Sequence, residues 1–290
     1  MNDAARPPEP VAQPPAELRA RLAGVRGLLL DLDGVIVLRG AAIAGSGEAL
    51  AALHRRGIAY RVLTNMSLMS RAGVAAQAGR LGMHLPAERI VTAASATAAA
   101  TARRFDGQPI YVLCAPDGRA EFAGQRLLSH REAADPKARA AAVVVGDAAE
   151  EFTPLNLQSA FRLVRGGAKL VAMHRNRWWL TPEGEKLDAG GFVAGLEYAT
   201  GRRAWTLGKP SPAIFREASR ELGLPASELA MVGDDIWSDV GAAQRTGLRG
   251  VLVLTGKHGP ADLRRAAAAR RPVVPDAVAA SLAEVVAALD

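Results

Sequence analysis

Short apolar runs alternate with longer alanine-rich stretches along most of the chain. The runs read GLLLDL, AYRVLTN, RIVTA, PIYVLC, AAVVVG, AKLVAMH, AWTLG, LAMVGD and GVLVLTG, and each predicts a strand. Between and after them the pattern predicts helices over 46–56, 70–81, 93–104, 154–166, 190–200, 211–223, 238–246 and 277–289. Ser46, Ser70, Ser211 and Ser238 stand where N-caps belong. Gly57, Gly82, Gly223 and Gly247 occupy the matching C-terminal positions. Strand and helix in such alternation predict an α/β fold on a parallel sheet.

Composition narrows the class. With 290 residues, 49% hydrophobic and 22% charged, the chain has room for one large domain or two modest ones and reads as globular. No apolar stretch approaches the ~20 residues that span a membrane, so no membrane partner is expected. The first 17 residues carry acids and five prolines without an apolar h-region. They read as a flexible tail rather than a signal peptide, and the tail is expected over residues 1–20. One cysteine, Cys114, excludes an internal disulfide and agrees with a cytoplasmic location.

Charge changes the picture little. The net charge is +7, yet only five of the 36 basic residues are lysines and the arginines form no dense run. Aromatics make up 4%, too few for a stacking surface on single strands, so no nucleic-acid partner is expected. An anionic small-molecule substrate fits the charge equally well.

Four runs end in chemistry-bearing residues. GLLL is followed by Asp31 and Asp33, AYRVL by Thr64 and Asn65, AWTL by Gly208, Lys209 and Pro210, and LAMV by Gly233, Asp234 and Asp235, with Asp239 beyond. Ligands of open α/β sheets bind beyond the carboxyl ends of the strands, so neighbouring strands would bring these tips together. Several carboxylates, an ammonium, a hydroxyl and an amide suit a hard cation such as Mg²⁺ and a phosphoryl group. A carboxylate can attack phosphorus, and a second acid can protonate the departing oxygen and later deprotonate water. Gly34 lets the chain turn just past the first tip.

The set DLDG, LTN, GKP and GDDIWSD, in that order, resembles the four motifs of the haloacid dehalogenase superfamily of phosphatases. GVIVLRG and GKPSPAIF are similar to its subfamily IIA. Longer stretches from VVVGDAAEEF to TPEG, and GFVAGLEYATG, resemble the phospholysine phosphohistidine inorganic pyrophosphate phosphatase branch and its hydrolase-domain-containing relatives. The resemblance covers residues 25 to 257. It implies Asp31 as nucleophile and metal ligand, and Asp33 as general acid/base that ligates metal through its backbone carbonyl. Thr64, Asn65 and Lys209 would hold the phosphoryl, Asp234 would complete the Mg²⁺ ligands, and Asp239 would stand just outside them. The second motif departs from many relatives in having Met66 where they have a further asparagine.

The same resemblance implies a Rossmannoid parallel-sheet core with an inserted α/β cap of the C2 type. The interval from Asn65 to Gly208 is far too long for a simple βα connection, which leaves room for the insert. The core is expected over 21–106 and 204–290 and the cap over 107–203. Relatives often pair through the cap, which makes a homodimer the default.

Plainer readings compete at several positions. Asp-x-Asp-Gly alone is also a turn, and Thr64-Asn65 alone is also a helix start. Lys209 is not a Walker lysine, because Arg203 stands where glycine is required and Pro210 replaces Ser/Thr. Lys257 fails that test too and reads as a surface residue. Asp239 also suits an N-cap. Trp178 and Trp179 read as packing, while His174 and Asn176 are candidates both for substrate contact and for a structural role. Cys114 reads as a buried small hydrophobe, and the histidines show no metal-ligand spacing.

The expected activity is Mg²⁺-dependent hydrolysis of a small phosphorylated metabolite (phosphomonoester, phosphoamide or pyrophosphate) through an aspartyl-phosphate. The alternatives are a haloacid dehalogenase-type hydrolase and a non-catalytic phospho-accepting regulator.

Overall fold

The computed structural model describes residues 12–181 and 184–289. Among the described residues no helix is long and apolar enough to cross a membrane. The chain is α/β and divides into two compact units, one running to Tyr60 and resuming at Ser219, the other Arg61–Ala218.

The first unit is built on parallel strands. Leu229–Gly233 lies between Gly27–Leu30 and Arg249–Val253, and Ala277–Ala279 follows outside Arg249–Val253. Every residue of Gly27–Leu30 and of Leu229–Gly233 is buried, which is why both read as unbroken apolar runs. Their register pairs Gly27 with Leu229 and Leu30 with Val232. Asp31 and Gly233 therefore leave the sheet at one level, and the Asp31 amide donates to the Val232 carbonyl at 2.9 Å. Beyond the first strand, Val37–Leu38 and Ala41–Ala42 form a small antiparallel ribbon.

In the second unit Val62–Thr64, the end of the strand Ala59–Thr64, pairs in parallel with Ile90–Thr92. A separate five-stranded parallel sheet has the order Trp205–Thr206, Lys169–Ala172, Ala142–Val145, Ile110–Leu113, Leu127–Leu128. Alternate side chains of this sheet feed two cores. Tyr111, Leu113, Val143 and Val145 pack with Leu163, Val164, Val193 and Leu196, while Val112, Cys114, Val144 and Met173 pack with Ala98 and Phe122. Each fully buried Val or Leu contributes about 1.5–3 kcal/mol, so filling both faces is what holds the sheet. The antiparallel hairpin Trp178–Thr181 and Gly184–Leu187 belongs to the same unit.

Several sequence expectations need correction. The flexible tail does not extend to residue 20: Pro15–Leu22 is a helix whose Leu18 and Leu22 are 1% and 3% exposed. Leucines four apart share a helix face, and Pro15 suits a first-turn position. The rest of the expected tail, residues 1–11, lies outside the described residues.

The helix expected over 277–289 begins only at Leu282, because Ala277–Ala279 pairs with Val251–Val253 as a strand. Over 238–246 the chain instead makes a π-helical turn, Ile236–Val240, and then the short helix Gly241–Gln244. Ser46 does not cap its helix; Gly45, at φ 78°, takes that place and the Ser46 hydroxyl donates to the Ile36 carbonyl at 2.9 Å. Ser70 does cap, accepting from the Gly73 amide at 3.0 Å.

Candidate active site

Three acids converge in the first unit. Asp31 follows Gly27–Leu30, Asp234 follows Leu229–Gly233, and Asp239 lies on the π-helical turn. One carboxylate oxygen from each lies within 4.8 Å of the others. All three side chains are buried, Asp239 at 0% exposure. Carboxylates this close repel one another, and burial penalises their charge, so an oxygen-only set of this kind fits a hard divalent cation.

The backbone around them is bare by necessity. A Cβ on Gly34 or Gly256 would collide with the Asp234 carboxylate, and one on Gly233 would collide with Asp239. Gly34 also has φ +80°, which adds a conformational reason for glycine there.

Main-chain amides hold the acids in place. The Leu32 amide donates to Asp31 Oδ1 at 2.7 Å, and the Lys257 amide to Asp234 Oδ2 at 2.7 Å. The Asp235 amide donates to Asp239 Oδ2 at 3.1 Å. Asp33 sits in a tight loop where the Ile36 and Val37 amides donate to the Leu32 carbonyl at 2.9 and 3.0 Å. Its side chain is exposed.

Asp235 has a different task. Its Oδ1 accepts from the Trp237 and Ser238 amides, both at 2.9 Å, so it caps the turn that carries Asp239. Asp239, which the resemblance sets just outside the metal ligands and which also suits an N-cap by sequence, is a member of the acid cluster, and Asp235 takes the cap. Lys257 Nζ lies 2.7 Å from Asp235 Oδ2. Burial pushes the Asp235 carboxyl up, but the lysine and the turn amides outweigh it and bring the pKa down to about 2.

The phosphate-motif residues lie in the second unit. Thr64 ends its strand at 2% exposure, and its Oγ1 accepts from the Met66 amide at 3.1 Å. The Asn65 carboxamide pairs with the Lys209 main chain: Oδ1 accepts from the Lys209 amide at 2.8 Å, and Nδ2 donates to the Lys209 carbonyl at 3.0 Å. Nδ2 also donates to Asn176 Oδ1 at 3.3 Å. Lys209 is 4% exposed. Gly208 admits this arrangement, because a Cβ there would strike the Met173 carbonyl.

His174 is held inside rather than displayed. It is 2% exposed, with Nε2 2.9 Å from Ser67 Oγ and 3.7 Å from Asp188 Oδ1, and Nδ1 3.4 Å from the Asn176 amide. The Asn176 amide can only donate, which makes Nδ1 the acceptor and Nε2 the protonated nitrogen. Burial pushes the imidazole down to about 4. Ser67 Oγ also accepts from the Asp147 amide at 2.9 Å. Of the two proposed substrate contacts, His174 thus sits in a buried network, and Asn176 binds Asn65. Asp188 opens DAGGF, residues 188–192, a stretch that with residues 173–179 is a candidate specificity element by sequence. No role for Ser67 or Asp147 is read from sequence, since each joins the network only through folding.

Comparison with known proteins places these residues in company. A haloacid dehalogenase-like hydrolase family model matches residues 28–127, and a HAD-hydrolase-like model matches residues 206–285. The chain is similar to human phospholysine phosphohistidine inorganic pyrophosphate phosphatase, 39% identical over 248 residues that span 83% of this chain and 87% of that protein. Its fold is similar to p-nitrophenyl phosphatase from Archaeoglobus fulgidus, with a TM-score of 0.82 at 29% identity, covering 91% of this chain and 99% of that one. It is also similar to glycerol phosphate phosphatase from Mycobacterium tuberculosis in complex with magnesium, with a TM-score of 0.79 at 27% identity over 91% of this chain and 77% of that one.

Proposed function

The chain belongs to the haloacid dehalogenase-like hydrolases, and we propose that it is a Mg²⁺-dependent phosphatase of small phosphorylated metabolites that works through an aspartyl-phosphate on Asp31. The observation that carries this reading is the buried convergence of Asp31, Asp234 and Asp239. The phosphatase names of the similar proteins, and the magnesium complex of one of them, support it further.

In this reading Asp31, Asp234 and the Asp33 backbone carbonyl would hold the cation, with Asp239 completing the acid cluster. When bound, the cation offsets the repulsion between an attacking carboxylate and the phosphoryl oxygens.

The chain's own residues do the rest. An Asp31 oxygen bonds to phosphorus as the bond to the leaving oxygen or nitrogen breaks, and protonated Asp33 gives that atom its proton. Water then attacks the same phosphorus, Asp33 takes the proton from water, and the bond to Asp31 breaks. Orthophosphate leaves and both carboxyls return to their starting states. Thr64 and Lys209 hold the phosphoryl oxygens, the lysine by charge, and Asn65 serves by fixing the Lys209 main chain. Residues 107–203, read as the cap, choose the leaving group.

The test is phosphate release over a panel of phosphomonoesters, phosphoamides and pyrophosphate with Mg²⁺, using Asp31→Asn as the blank. Release by the wild type and its near-total loss in the variant are expected. Full activity in the variant rules the mechanism out. Halide release instead of phosphate selects the dehalogenase, and a long-lived phosphoprotein without turnover selects the regulator.

A further inference from the structure

The stretch LTGKHG follows the strand Arg249–Val253 and belongs to none of the four motifs. It nevertheless grips both acid-bearing strand ends of its unit. Thr255 Oγ1 donates to the Gly34 carbonyl at 2.6 Å. The Lys257 amide donates to Asp234 Oδ2 at 2.7 Å, and the His258 amide to the Asp234 carbonyl at 3.2 Å. His258 Nδ1 accepts from the Ile236 amide at 3.1 Å, and its ring meets the Trp237 ring edge-on at 4.8 Å. Lys257 Nζ closes the far side on Asp235 at 2.7 Å.

We propose that Thr255–His258 is the positioning element of the metal site: it fixes the Asp234 carboxylate in the direction that brings it to Asp31 and Asp239. An aspartate side chain has two rotatable bonds, and three acids in mutual repulsion would spread if nothing restrained them. The Lys257 amide restrains one of them from a main chain that is itself anchored at Gly34, Ile236 and Asp235. Its partial positive charge also eases the repulsion before any cation arrives. Gly256 is the condition for this approach, because any side chain there would occupy the place of the Asp234 carboxylate. Partners that orient a metal ligand from behind are as much part of a site as the ligand.

The proposal rests on the metal-site reading, so the test separates the two. The full chain, stripped with a chelator, is titrated calorimetrically with MgCl₂ as wild type, Gly256→Ala, Thr255→Val and Gly259→Ala. Melting temperatures without Mg²⁺ are recorded beside each titration to show which proteins are folded.

Gly256→Ala is expected to weaken Mg²⁺ binding by about 10- to 100-fold, the usual effect of losing an orienting partner. Thr255→Val, which keeps the shape and loses the bond to Gly34, weakens it less and in the same direction. Gly259→Ala binds as wild type, since nothing lies within 4 Å of a Cβ there. Wild-type affinity in both Gly256→Ala and Thr255→Val overturns the proposal alone, and Thr255→Val decides if Gly256→Ala does not fold. A wild type that binds no Mg²⁺ overturns the site reading and the proposal together.

Discussion

Asp234 takes the Lys257 main-chain amide, while Asp235 takes the Lys257 ammonium and two amides of the adjoining turn. Two adjacent aspartates that look alike in sequence are thus separated by what their surroundings donate. Asp234 faces other carboxylates and suits a cation, whereas Asp235 is already neutralised and serves as an anchor.

His174 shows the same dependence on surroundings. Its neutral state in the fold persists down to about pH 4, whereas the ordinary imidazole gains a proton near 6.5. Between those values the unfolded chain binds more protons, so this residue removes stability as pH falls through that window. Burial raises the carboxyls of Asp147 and Asp188 beside it, which therefore bind protons earlier in the fold and act in the opposite sense. The His174 contribution is isolated by comparing wild type with His174→Gln in urea unfolding at pH 7 and pH 4.5. Wild type should lose on the order of 1–2 kcal/mol more than the variant over that interval. Equal losses would mean that His174 is not held neutral.

The helix Pro15–Leu22 teaches how far periodicity reaches. Its sequence, PAELRARL, is short, comes after a proline-rich beginning and holds only two leucines. Those leucines are nonetheless buried, and the Arg21 side chain donates to the Asp276 carbonyl at 3.1 Å beside the strand Ala277–Ala279. Leu18→Ala should therefore cost about 2–5 kcal/mol in urea unfolding, as deletion of a buried leucine side chain does. A change under about 0.5 kcal/mol would place the helix among dispensable surface elements.

The strands, by contrast, are readable, because burial on both faces leaves an uninterrupted apolar run. Elements that sequence does not reveal are short, among them Pro116–Arg119, His130–Ala134, Leu127–Leu128, Pro260–Ala267 and the π-helical turn. Each is shorter than the window over which a period can be detected. Alanine-rich 277–289 departs from its helical pattern at the start for a related reason: pairing with Val251–Val253 overrides the helical preference of alanine.

Across the chain, the basic excess is dispersed rather than gathered. Arg26, Arg71, Arg103, Arg119 and Arg175 each meet a glutamate, at 2.7 to 3.1 Å. The net charge therefore says less about partners than the residues at the strand ends do. Of the acid cluster, Asp31 and Asp234 are legible because each stands at the end of an apolar run. The grip of Thr255, Gly256 and Lys257 is not, since its hold on Asp234 is a main-chain amide and its anchors, Thr255 Oγ1 and Lys257 Nζ, meet partners distant in sequence. Nor does spacing show that Asp239 joins the cluster, because that depends on a π-helical turn capped by Asp235.

The central claim is that Asp31 carries the phosphoryl group and Asp33 moves the protons. Asp33→Asn should form the bond to phosphorus and then stall, since no group remains to deprotonate water. The variant, mixed with p-nitrophenyl phosphate and Mg²⁺ and quenched in acid, is digested and its peptides are weighed by mass spectrometry. A phosphoryl group on Asp31, absent from Asp31→Asn treated alike, is the predicted result. Phosphate release by the wild type, with Asp31 unmodified in the stalled variant and full turnover by Asp31→Asn, would contradict it.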